Sequence, residues 1–221
     1  SDVLCANVTG TQSGEFIFID NKNNLTIMDV VDDKEYTVPV GKNSHFSDTL
    51  IFDKKIFVFS QTGTLSRFDG NARNVEPFPL ITEYKGSFLP VMKDNNLVLF
   101  SENDSSLYFI SLDGEEEKFD FTFPSPLLSP PAFWGALVAF YPKSFSGTVY
   151  VTDSGGVIRE GWPKESGGIS YCSPLFYQDK EKNLFIIFLT QSGILSMWDM
   201  EGNMAPGFPL FLEGVFYNNP L

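Results

Sequence analysis

One short segment returns five times along this chain, and that return limits what the chain can fold into. The segment opens on an apolar residue and ends at or near an acid: Leu25–Asp29, Leu65–Asp69, Leu107–Ser111 with Asp113-Gly114 just after, Val149–Asp153 and Leu195–Asp199. Its first residues are 40, 42, 42 and 46 positions apart. A second column follows it, the prolines of Val38-Pro39, Phe78-Pro79, Phe123-Pro124, Trp162-Pro163 and Phe208-Pro209. A third precedes it: Asp48, Pro90, Pro130, Pro174 and Pro220. Three columns that keep step define a repeat of about 42 residues,.

Each unit reads as four short strands, A to D. Strand A carries the third-column anchor. Strand B is a dense apolar run such as Ile56–Phe59 or Phe185–Leu189. A glycine turn follows, as in Gln61-Thr62-Gly63, because a tight hairpin needs a residue at positive φ. Strand C alternates and ends at Asp. Strand D carries the aromatic-proline pair, since proline lacks an amide donor and suits an edge or a strand end. No segment of ten residues keeps a helical period, and evenly spaced short strands mean all-β. A four-stranded repeat of this length is the period of a β-propeller, whose blades bury their faces against one another. The blades run over 3–40, 44–82, 86–125, 127–165 and 169–212. Together they read as a single domain spanning 1–221, and residues 216–221 look like the start of a further strand A. Two readings stay open. The five blades close by themselves, or they are part of a larger propeller completed by further blades or another chain.

The Asp, glycine turn and aromatic-Pro order stands as Asp153-Ser154-Gly155-Gly156 before Gly161-Trp162-Pro163, and as Asp199-Met200-Glu201-Gly202 before Gly207-Phe208-Pro209. With Ser129-Pro130 and Ser173-Pro174, it resembles the repeat of the bacterial PQQ-like and FG-GAP-like propellers. That superfamily includes quinone-cofactor dehydrogenases and noncatalytic cell-envelope scaffolds. This sequence has no vicinal cysteine pair to cap a quinone and no motif for the calcium-bearing cofactor pocket. The resemblance therefore implies the noncatalytic branch, with no cofactor and no metal.

Composition narrows the partners. With 15 Lys and Arg against 28 Asp and Glu, the formal net charge is −13, the wrong sign for binding phosphates. Breakers interrupt every long apolar run, so no membrane span is expected. Cys5 and Cys172 lack metal-ligand spacing; they fall in one column of the repeat, bonded or not,. His45 is the only histidine, so any triad would have to use it, and it reads more simply as a loop residue. Asn7-Val8-Thr9, Asn24-Leu25-Thr26 and Asn103-Asp104-Ser105 match a glycosylation sequon without fixing a compartment,.

No residue is assigned to catalysis, cofactor or metal. The candidate partner face is the set just before or within strand A: His45, Phe46, Asp48, Phe88, Tyr171 and Tyr217. In propellers these positions lie near the channel mouth, where aromatics grip a peptide or sugar; the competing reading is packing between blades. Asp48 caps a turn or faces the channel as one of the two carboxyls a glycosidase needs. Asp20–Asn24 lacks the glycine and closing Glu of a calcium loop and reads as a hairpin turn. Glu115-Glu116-Glu117 reads as a solvated turn. The expected function is a noncatalytic binding or assembly module, engaging a protein, a peptide or the cell envelope outside the cytoplasm. The rival is a glycan-active or decayed quinoprotein-like enzyme domain.

Overall fold

The structure, a computed structural model, describes residues 3–10, 14–40, 46–60, 63–82, 91–101, 105–143 and 147–217. The described residues contain strands and no helix. Twenty strands form five four-stranded sheets, each ordered as its strands follow in the chain. Sheet 1 holds β1 (Leu4–Ala6), β2 (Glu15–Ile19), β3 (Asn24–Asp29) and β4 (Lys34–Pro39). Sheet 2 holds β5 (Phe46–Phe52), β6 (Lys55–Ser60), β7 (Thr64–Phe68) and β8 (Leu80–Ile81). Sheet 3 holds β9 (Val91–Lys93), β10 (Asn96–Ser101), β11 (Ser106–Ser111) and β12 (Glu116–Thr122). Sheet 4 holds β13 (Ala132–Trp134), β14 (Leu137–Phe140), β15 (Thr148–Thr152) and β16 (Lys164–Glu165). Sheet 5 holds β17 (Leu175–Gln178), β18 (Leu184–Leu189), β19 (Ile194–Asp199) and β20 (Leu210–Phe211). One sheet per repeat is the blade pattern that the sequence predicts.

The proline column differs from its expected place inside strand D. Pro39 does end β4, whose six residues pair with β3 throughout. In sheets 2, 4 and 5 the pairs Phe78-Pro79, Trp162-Pro163 and Phe208-Pro209 stand before the last strand, with cis peptide bonds. There Phe78, Trp162 and Phe208 donate their amides to the carbonyls of Val75, Arg159 and Ala205 at 3.1 Å. The chain spends this stretch turning, and β8, β16 and β20 are left with two residues each.

The chain forms two compact units, residues 1–103 with 108–117 and residues 104–107 with 118–221. In the first, Ile17, Leu25 and Ile27 of sheet 1 share a core with Ile56, Val58 and Phe68 of sheet 2. The other face of sheet 2, with Phe57, Phe59, Leu65 and nearby Phe78, packs on Leu97, Leu99 and Ile110 of sheet 3. In the second unit, Ala139, Val149 and Val151 of sheet 4, with Tyr141 and Trp162, pack on Ile186, Phe188 and Trp198 of sheet 5. Phe121 and Phe123 meet Phe140 at ring separations of 5.8 and 4.6 Å, and Phe140 stacks on Tyr150 at 5.2 Å. The alternation of each strand sends one set of side chains to each neighbour. At the scale of about 1.5–3 kcal/mol per buried large side chain, this stacking is the main favourable term.

Polar ties repeat across these contacts. The Arg67 guanidinium donates to the Leu112 carbonyl at 3.0 Å and lies over the rings of Phe57 and Phe78. Arg159 Nε and Trp162 Nε1 donate to the Met200 carbonyl at 3.1 and 3.2 Å. Leu112 and Met200 hold the same place, directly after the residue that ends strand C.

Two glycines separate backbone need from contact. Gly161 and Gly207 have nearly the same φ, 84° and 85°. A Cβ on Gly161 would overlap the Glu201 carbonyl of sheet 5, while a Cβ on Gly207 meets nothing within 4 Å. Gly207→Ala is expected to lose about 1 kcal/mol from left-handed strain. Gly161→Ala is expected to lose about 2 kcal/mol more, from overpacking. Urea unfolding of both variants checks this, and equal losses would contradict the packing described at this turn.

Candidate functional site

The acids that end strand C are occupied in turns. The Asp69 carboxylate accepts the amides of Asn71 and Arg73 at 2.8 and 3.0 Å. Asp153 accepts those of Gly155 and Val157, both at 2.9 Å. Asp199 accepts those of Glu201 and Asn203 at 3.0 and 2.7 Å. Asp29 does the same for Val31 and Asp32, both at 3.0 Å. In the third unit the Ser111 hydroxyl takes over, accepting from Asp113 and Glu115 at 3.2 and 3.0 Å. A short side chain that bonds its own backbone ahead is what fixes an Asx or Ser turn. The repeat keeps an oxygen acceptor there rather than a charge, which explains Ser111. Sequence reasoning used this column as a marker and gave it no role.

Asp20 and Asp179 repeat the device in other hairpins. Asp20 accepts the Lys22 and Asn24 amides at 2.8 and 2.9 Å and the Asn24 side-chain amide at 2.9 Å. The segment that superficially resembles a calcium loop is thus a hairpin turn. Asp179 accepts the Glu181 and Asn183 amides at 2.8 Å and the Asn183 side-chain amide at 2.9 Å. Hydrogen bonds from Asn24 hold the Asp20 carboxyl below its ordinary value. The Asn183 side chain does so for Asp179, against a smaller opposing effect of burial. Glu15, fully buried in β2, accepts from the Val8 amide at 2.7 Å, from the Thr9 amide at 3.4 Å and from the Thr9 hydroxyl. Nothing in the sequence pattern marks Glu15, because its partners come from the preceding hairpin. Glu115, Glu116 and Glu117 are all exposed. Among the described residues, no three His, Cys, Asp or Glu side chains come together as a metal site.

The cysteines are separate. Neither forms a disulfide; Cys172 is buried and Cys5 exposed. Burial raises the Cys172 thiol, partly countered by the Ser170 hydroxyl. They do not share a column. Cys5 pairs with Phe16, the place that Phe176 holds against Ile186, whereas Cys172 precedes β17.

Of the six candidates for a partner face, Tyr171 and Tyr217 come together. Their ring centroids are 6.0 Å apart with the planes tilted by 35°. Both are exposed, at 45% and 61%. Each lies on a segment leaving a strand D, and the turn between β18 and β19 ties the two segments in place. Gln191 donates its amide to the Ile169 carbonyl at 2.7 Å, and its own carbonyl accepts from Phe216 at 3.0 Å. Ile169 and Val215 beside them are also exposed. His45 and Phe88 lie outside the described residues, as do the side chains of Phe46 and Asp48, whose backbones are in β5. Trp134 sits in β13, half-exposed, with its ring 6.4 Å from Phe176. A concavity of 620 Å³ is lined by Arg159, Glu160, Gly161, Met200 and Glu201. Its one guanidinium is already engaged by the Met200 carbonyl and, at 4.0 Å, by Glu201.

With sheets and surface described, the likeness to known proteins is one of fold. No family model and no curated protein sequence matches the chain. Among solved structures, Hsv2 of Kluyveromyces lactis with its loop 6CD replaced by a Gly-Ser linker matches at TM-score 0.60 and 16% identity, covering 87% of this chain and 63% of that one. BBS1N, solved in complex with ARL6DN, matches at TM-score 0.60 and 10% identity over 95% of this chain and 67% of that one. Virginiamycin B lyase from Staphylococcus aureus matches at TM-score 0.52 and 13% identity over 92% and 73%. The chain has the β-propeller fold, and it spans under two-thirds of the length of the Hsv2 structures it matches. No helix among the described residues is long and apolar enough to cross a membrane.

The lowered carboxylates set the direction of a pH effect. A carboxyl held low in the folded state stabilises fully above its unfolded value, and the gain is lost as pH falls through the folded one. For Asp20 and Asp179 that loss is expected below about pH 4,. Asn183→Ala should raise the Asp179 midpoint, read from its side-chain carbon resonance. An unchanged midpoint would show that the Asn183 side chain does not set it.

Proposed function

We propose that the chain is a noncatalytic binding module, a single five-bladed domain, that engages a protein or peptide partner outside the cytoplasm. The observation that carries the reading is the exposed tyrosine pair, Tyr171 and Tyr217, held on the segments that follow β16 and β20. A tyrosine offers a large rigid apolar surface with a polar tip, at small cost in rotamer freedom. Supporting it, the repeated strand-end acids serve as turn acceptors rather than as a converging pair. The fold alone does not decide function, since one structural neighbour is a lyase and another is the complex of BBS1N with ARL6DN. The acidic balance disfavours nucleic acid,. The extracytoplasmic setting is inferred from the repeat resemblance. The partner reading includes completion of the propeller by further blades or another chain.

The test is affinity capture with the full chain, followed by titration of the captured partner against wild type and a Tyr171→Ala/Tyr217→Ala variant. The variant is expected to keep its melting temperature and to bind roughly 30-fold more weakly, the scale of an aromatic hot spot. Undiminished binding would remove the tyrosine pair from the partner face.

A further inference from the structure

We propose that the tyrosine pair takes up a proline-rich segment of its partner, held as a polyproline II helix with basic residues beside it. The proposal deepens the binding reading above and rests on it.

The argument comes from what this patch holds and what it omits. The Tyr171 and Tyr217 rings lie 6.0 Å apart, and Ile169 and Val215, both exposed, extend the apolar surface. The backbone of Gln191 bonds to both segments, so the rings are presented in one arrangement. Residues 167–173, 191–193 and 214–217 contain no Lys, Arg, Asp or Glu. A charged residue at the centre of the ligand would lose hydration there with no opposite charge to replace it. The polar groups of the patch are of another kind. Each tyrosine hydroxyl can donate a hydrogen bond, and Gln191 brings a carboxamide to the turn,.

A proline run is the complement of such a surface. Its rings are apolar and pack against aromatic faces. It has no amide N–H to satisfy, while its carbonyls point outward and accept. It is extended before it binds, so little conformational entropy is lost. Its rise of about 3.1 Å per residue puts two steps at about 6 Å, the spacing of the two rings,. Other partner segments fit less well. The carbonyls of an α-helix are consumed within it and leave the tyrosine donors unmatched. An added β-strand needs a strand edge, and both tyrosines lie outside the strands,. A glycan would stack on the rings, but the patch has no carboxylate to take sugar hydroxyls in pairs,. The basic flank follows from charge. Glu213 is exposed directly before Gly214, and the chain carries a formal net charge of −13. Lysine or arginine next to the proline run is therefore drawn to this end of the patch.

Calorimetric titration of the full chain with an octaproline peptide ending in two lysines tests this. A Gly-Ser peptide of equal length with the same lysines, and maltohexaose, serve as comparison ligands. The octaproline peptide is expected to bind and the other two are not. Tyr171→Ala/Tyr217→Ala should weaken binding at least about 10-fold. Tyr171→Phe/Tyr217→Phe keeps both rings, removes both donors and should cost roughly fivefold. Glu213→Gln should cost about twofold. Melting curves check that each variant stays folded. Three results overturn the proposal: no binding of the octaproline peptide at millimolar concentration, equal binding of the Gly-Ser peptide, or undiminished binding by the double alanine variant. Binding of maltohexaose in place of the peptide also overturns it and assigns the patch to a glycan. The tyrosine-pair reading is decided separately. If octaproline fails while the captured partner still loses affinity for the Tyr171→Ala/Tyr217→Ala variant, the proline proposal falls and that reading stands.

Discussion

A small sheet that is apolar on both faces has no stable existence in water by itself. The stacking of the sheets in this chain follows from that constraint. Ile17, Leu25 and Ile27 need sheet 2; Phe57, Phe59 and Leu65 need sheet 3; Ala139, Val149 and Val151 need sheet 5. One repeat cannot supply both the face and its cover, so the sequence must repeat. The stacking also explains the large share of phenylalanine. Rings such as Phe121, Phe123 and Phe140 fill the space between strands at edge-to-face and tilted angles, without polar atoms to satisfy,.

Stacking by apolar contact is non-directional, so orientation has to come from elsewhere. The turns after strand C provide it. Each is fixed by a side-chain oxygen accepting its own backbone amides, and the next carbonyl is thereby left free to face a neighbour. At Leu112 and Met200 that carbonyl receives Arg67, or Arg159 with Trp162. An arginine reaches each carbonyl from a different position, joined at Met200 by Trp162, yet the acceptor stays. A backbone carbonyl does not depend on side-chain identity, so drifting repeats keep the tie. This is the physical content of the Asp column, and it accounts for the one unit where Ser111 serves instead.

Much of the fold is legible in the sequence because periodicity and turn chemistry are local. Repeat length, four strands per unit and the strand-end residue all come from nearest neighbours along the chain. What is not legible depends on register in three dimensions. The aromatic-proline pair reads as strand, but Phe78, Trp162 and Phe208 stand in turns before it. Cys5 and Cys172 align by eye around strand A, yet they lie several places apart because no residue type marks that short strand's register. Buried Glu15 gives no signal at all, since Val8 and Thr9 reach it through a hairpin. Of the candidate face, Tyr171 and Tyr217 are legible because they stand just before strand A, three residues ahead of Pro174 and Pro220.

The tyrosine pair also shows why a repeat can carry a site at all. Equivalent positions in adjacent units lie side by side, so one residue type used twice becomes a surface of twice the area. Most such positions are spent on packing. Tyr141 is consumed in this way, fully buried and donating to the Gly168 carbonyl at 3.3 Å. Tyr171 and Tyr217, on the segments that follow β16 and β20, stay exposed instead. The hydrogen bonds of Gln191 to both segments hold these backbones in fixed register. The rings are therefore presented at little further entropic cost. Exposed aromatic area on an ordered backbone is the combination that packing does not need and that recognition does.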